Sequence, residues 1–132
     1  MKKNALLHGE LSKTIALLAH DDTILIGDAG MPVPVGVKLI DLAVTNGVPP
    51  FLDVLKAIIA EMQVAEAYID EEQPLVSPEM YRSLRDTVCD DFPLIEYPHC
   101  EIKKMSENAK AVIRTGEFTP YANIILKADV LF

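Results

Sequence analysis

Short apolar runs, too brief for helices, alternate along this chain with longer segments of helical period. Thr23-Ile24-Leu25-Ile26-Gly27 carries β-branched residues and reads as a buried strand that delivers Asp28 at its carboxyl end. Lys38 to Val44, Val64 to Ile69, Leu94 to Tyr97, Ala111 to Arg114 and an extended run from Asn123 to Phe132 supply further strands. Between them, Leu11, Ile15 and Leu18 fall on one face of a helix that is expected to end near His20. Phe51, Val54, Leu55, Ile58, Ile59 and Met62 pattern a second helix. Ser77-Pro78-Glu79 opens a third, with Ser77 as N-cap, and Ile102 to Asn108 predicts a fourth. This rhythm predicts one α/β domain over residues 1–132, a mainly parallel sheet flanked by helices. Ligands in such folds gather outside the carboxyl ends of the strands.

Composition narrows the function classes. Half of the 132 residues are hydrophobic, which is too much core material for a disordered chain. Twelve Lys and Arg against twenty Asp and Glu give a formal charge of −8, so a role on nucleic acid or an anionic membrane surface is disfavoured. The longest uncharged stretch, Leu42 to Leu52, is interrupted by Thr45-Asn46-Gly47 and Pro49-Pro50, and predicts no membrane span. Met1-Lys2-Lys3-Asn4 is followed by only Ala5-Leu6-Leu7 before His8-Gly9-Glu10, so no secretory core is expected and a cytoplasmic protein is. Cys89 and Cys100 form no C-x-x-C pair and are expected to be reduced thiols.

No G-x-G-x-x-G follows a strand, and there is no phosphate loop or nucleophile elbow. His8, His20 and His99 lack metal-ligand spacing, so neither a cofactor nor a metal is expected. His20 admits two readings, a cation at the carboxyl end of the first helix or a proton-transfer group. Eight residues separate it from Asp28, and the intervening turn and strand are expected to bring both side chains to one edge of the sheet. Asp28 is either a turn residue accepting backbone N–H bonds ahead of Gly30 or a site carboxylate. Arg114 to Asn123 offers a guanidinium, a phenol and a carboxamide, which suits a small ligand with many hydroxyls. It would equally suit a loop that satisfies itself or an edge that pairs with another subunit.

Four segments together carry a resemblance: Met1 to Leu11 with Gly9-Glu10-Leu11; His20-Asp21-Asp22-Thr23 to Gly27-Asp28-Ala29-Gly30-Met31-Pro32-Val33-Pro34; Ile40-Asp41-Leu42 through Gly47-Val48-Pro49 and Phe51; and Ala109 to Asn123, with Arg114-Thr115-Gly116-Glu117-Phe118-Thr119-Pro120-Tyr121-Ala122-Asn123. Over nearly its whole length the chain resembles the sugar mutarotase family, which comprises the ribose pyranases and the fucose mutarotases. The resemblance implies a cofactor-free enzyme that interconverts the pyranose and furanose forms of D-ribose. It also implies a cyclic assembly, typically a decamer of two pentameric rings, with the sugar site between neighbouring subunits. The family's catalytic histidine falls on His20. Its sugar-binding positions fall on Asp28, His99, Tyr121, Ala122 and Asn123, with His99 placed by its spacing from the Ala-Val-Ile-Arg strand. Two other functions remain: a mutarotase for L-fucose or another aldose, and a non-catalytic sugar-binding module linked to ribose import, in which His20 only caps a helix.

Overall fold

The computed structural model describes residues 1–132. Six strands form one sheet: β1 (Thr23–Gly27), β2 (Lys38–Asp41), β3 (Val64–Asp70), β4 (Leu94–Tyr97), β5 (Ala111–Arg114) and β6 (Ile124–Ala128), in the order β2-β5-β1-β6-β3-β4. Pairings β1 with β5, β2 with β5, and β3 with β4 are parallel. β6 lies antiparallel between β1 and β3, so five strands run one way and the central one runs back. The expected mainly parallel sheet is present. The reversed β6 was not legible, because alternation of apolar residues reports burial and not strand direction.

Helices α1 (Gly9–Ala16), α2 (Phe51–Ile59) and α4 (Pro78–Val88) cover one face, α5 (His99–Ser106) the other, and a single turn, α3 (Gln73–Val76), precedes α4. The first face packs Ile24, Ile26, Ile40, Ile69, Ile113 and Leu126 against Leu11, Phe51, Leu55, Ile58 and Leu84. On the second face Leu25, Val112 and Ile125 meet Ile102 and Met31. Alternate residues of each strand thus reach opposite faces, as the pleat requires. No helix is long and apolar enough to cross a membrane. Cys89 and Cys100 are free and exposed.

Two local expectations change. α1 ends at Ala16 with Leu17 as its C-cap, so His20 stands beyond the helix in the turn before β1 and is not its cap. Ser77 occupies the N-cap position of α4, but its hydroxyl donates to the Pro120 carbonyl at 2.8 Å and caps nothing. The short α3 was missed, since four residues are too few to show a helical period.

The polar segment after β5 anchors the fold. Pro50 cannot cap α2 with a side chain, and the Phe51 N–H donates instead to Glu117 Oε2 at 3.2 Å. Glu117 Oε1 accepts from the Thr119 N–H and hydroxyl, at 3.2 and 2.7 Å. Thr115, fully buried, donates from its hydroxyl to the Gly27 carbonyl at 2.9 Å. A Cβ on Gly116 would stand 2.3 Å from the Val48 carbonyl oxygen, so only glycine lets the two segments meet. Glu117→Ala removes a helix cap supplied from 66 residues away and is expected to cost about 1 kcal/mol, read as a lower urea midpoint at unchanged slope.

Candidate active site

All five parallel strands end on the same edge of the sheet, and β6 begins there. β1 connects toward β2 on one side and β3 toward β4 on the other, so the chain diverges around β6 and leaves a crevice at that edge. Asp28 follows β1, Asp70 closes β3, His99 opens α5 just after β4, and Tyr121 and Asn123 lead into β6. A cleft of about 380 Å³ lies among them, lined by Asp28, Met31, His99, Lys103, Tyr121 and Asn123.

The groups are bound to one another. Asn123, buried, accepts from the Asp28 backbone N–H through Oδ1 at 3.1 Å and donates through Nδ2 to Asp70 Oδ2 at 3.3 Å. It thereby joins the ends of β1 and β3. His99 Nδ1 lies 2.5 Å from Asp70 Oδ1, and the His99 and Tyr121 rings meet perpendicularly, with centroids 5.3 Å apart at 89°. Tyr121 has φ +60°, a strained conformation for a residue with a Cβ, and the Gln73 amide holds its carbonyl at 2.6 Å.

Asp28 makes the turn contact and also faces the cleft. Its Oδ1 accepts from the Gly30 N–H at 2.9 Å, a turn contact, while the residue lines the cleft. Burial raises its pKa, and the Gly30 amide, Asn123 and nearby His99 pull against that rise. The native chain therefore still holds this proton after the unfolded chain, with a pKa near 3.8, has lost it. The stability linked to Asp28 is full below pH 3.8 and is lost as pH rises through the raised native value. Asp28→Asn is expected to flatten that part of the curve of urea midpoint against pH, compared with the wild type over the same series.

His20 is placed elsewhere. It precedes β1 whereas Asp28 follows it, so the five residues of β1 hold the two roughly 15–20 Å apart at opposite edges of the sheet. The expectation that one edge carries both is corrected: the strand between them is extended and does not turn back. The imidazole is 56% exposed, with Nδ1 3.4 Å from Asp129 Oδ1 and Nε2 3.5 Å from Asp21 Oδ2. Ala122 also stays out of the cleft lining. Its side chain is in the core and its N–H donates to the Thr119 carbonyl at 3.3 Å. Arg114 is occupied by Asp41 at 2.5 Å. Asp70, Gln73 and Lys103 belong to the site and were missed. Asp70 carried the signal used for Asp28, a carboxylate directly after a buried strand, whereas Gln73 and Lys103 had none.

An α/β sheet with two carboxylates, an imidazole, a phenol and a carboxamide around a small cleft at its carboxyl edge is the architecture of a protein for a small polyhydroxylated ligand. No three His, Cys, Asp or Glu side chains gather as a metal site would need. Residues 1–131 match the model of the RbsD / FucU transport protein family, and the chain belongs to that family. It is 47% identical over 132 residues, all of both chains, to a D-ribose pyranase of Coprothermobacter proteolyticus. It is similar to Bacillus subtilis RbsD, solved in complex with D-ribose, with TM-score 0.95, 43% identity and full coverage of both chains. A fucose mutarotase of Streptococcus pneumoniae, solved with L-fucose, shares the fold at TM-score 0.74 and 23% identity, over 95% of this chain and 94% of that one.

Proposed function

We propose that this chain is a D-ribose pyranase of the cytoplasm, interconverting pyranose and furanose forms of the sugar by acid–base opening and reclosure of the ring. The observation that carries this reading is a polar cleft of pentose scale in a chain matched from end to end by a relative whose structure holds D-ribose. Opening a cyclic hemiacetal takes a proton from the anomeric hydroxyl and delivers one to the ring oxygen. Reclosure through a different hydroxyl changes the ring size. Asp28 accepts from a sugar hydroxyl, His99 and the Tyr121 phenol engage others, and Asn123 holds the Asp28 backbone in register. Ala122 contributes through its place between Tyr121 and Asn123, its side chain locked in the core.

His20 relays a proton in this reading, and its distance from the cleft of its own chain supports service to the cleft of a neighbouring copy. A cyclic assembly, a decamer of two pentameric rings, meets that requirement by setting the His20 edge of one subunit on the cleft edge of the next. Phe118, 64% exposed beside Asp28 and Gly30, supports a covering partner at the mouth. Magnetisation-transfer NMR on D-ribose, with L-fucose alongside, tests the activity. Faster pyranose–furanose exchange with the protein is the expected result. Ribose binding without acceleration would instead leave a sugar-binding module, and preference for fucose would make it a mutarotase for that sugar.

A further inference from the structure

Ring opening moves two protons, and His20 accounts for one. The cleft holds a second imidazole in a setting that hydroxyl binding does not require. Asp70 is fully buried at the end of β3, yet it offers one oxygen to His99 Nδ1 at 2.5 Å and the other to the Asn123 amide at 3.3 Å. Taking a carboxylate out of water is costly unless its partners compensate, and here both partners are cleft residues. A carboxylate facing Nδ1 makes that nitrogen the N–H donor and leaves the lone pair on Nε2, which has no hydrogen-bond partner within the chain. The ring is also braced by its perpendicular contact with Tyr121, and the His99 backbone N–H donates to Glu72 Oε1 at 3.3 Å.

We infer that Asp70 is a positioning residue that holds His99 as the Nδ1–H tautomer, and that His99 Nε2 is the second proton-transfer atom of the site, complementary to His20. This rests on the ring-opening reading above. Nε2 takes the proton of the anomeric hydroxyl, the carbonyl forms at C1, and the C1–ring-oxygen bond breaks with its electron pair going to the ring oxygen. That oxygen takes a proton from the protonated His20 of the neighbouring copy. Reclosure to the furanose runs the transfers back: His20 removes the proton of the C4 hydroxyl, its oxygen attacks C1, and the anomeric oxygen recovers its proton from His99. Both imidazoles finish as they began. Asp70 and Glu72 from the end of β3 and Asp28 from the end of β1 lie on the side of the transient imidazolium, while Lys103, one turn along α5, is the cation of the cleft.

The test uses the full-length assembled protein. Long-range proton–nitrogen NMR of the imidazoles is expected to show neutral His99 protonated on Nδ1; protonation on Nε2 in the wild type would overturn the assignment by itself. In Asp70→Asn one acceptor must serve two donors, and exchange per bound ribose is expected to slow about 10²-fold with ribose affinity held within about threefold. An unchanged rate, or a fall wholly explained by lost binding, would count against it. His99→Gln keeps hydrogen bonding to a hydroxyl but cannot cycle a proton, so retained exchange in that variant would also sink the proposal. A wild type that fails to accelerate exchange would remove the ring-opening reading and the proton role of His99 with it, while the tautomer would still decide what Asp70 does.

Discussion

Replacing His20 by alanine is expected to slow pyranose–furanose exchange by about 10² to 10⁴-fold while ribose still binds, since the variant loses the proposed proton-transfer group and leaves the cleft intact. The geometry makes a sharper form of the test available. His20 and the cleft stand at opposite ends of β1, so no chain in isolation joins its own histidine to its own Asp28. Co-expression of His20→Ala with Asp28→Ala, each nearly inactive alone, is therefore expected to restore exchange. In a randomly mixed ring roughly a quarter of the sites would pair an intact cleft with an intact His20. Mixed assemblies that remain as inactive as either parent would show that His20 does not act across the subunit boundary.

Gly27→Ala is expected to damage stability and binding together. Gly27 is the last residue of β1, and a Cβ there would lie 2.7 Å from Met31 Cβ and 3.0 Å from Asn123 Oδ1. Neither neighbour is the loose end of a flexible side chain. Met31 packs on Leu25 and Val112 beneath the cleft, and Asn123 is tied to both Asp28 and Asp70. Overpacking of this kind costs about 1–3 kcal/mol, read from urea unfolding. Because Asn123 has to move, ribose affinity should fall at least about tenfold. Lost stability with unaltered affinity would mean that the Asn123 bridge does not set the site.

Much of the candidate cleft was legible residue by residue. Asp28 was visible because a carboxylate directly after Thr23–Gly27 must emerge at a strand's carboxyl end, and Tyr121 and Asn123 because polar groups crowd the entry to an apolar strand. Asp70 obeyed the rule that singled out Asp28 and was passed over. Its pairing with His99 joins residues 29 apart across α3, α4 and β4, and a contact over that separation leaves no local signal in the sequence. Glu117 proved to be a helix cap, a role with no local signal because the residue it serves lies 66 positions away.

The local order of strands and helices, and hence the α/β class, followed from the sequence by itself, since burial on one face or two imposes periods of 2 and 3.6 on apolar residues. The antiparallel β6, the convergence of Asp28, Asp70, His99 and Asn123 on one edge, and the exile of His20 to the other were decided only by the tertiary structure. Strand direction and strand neighbours depend on contacts between distant segments, and those contacts leave no period in the chain.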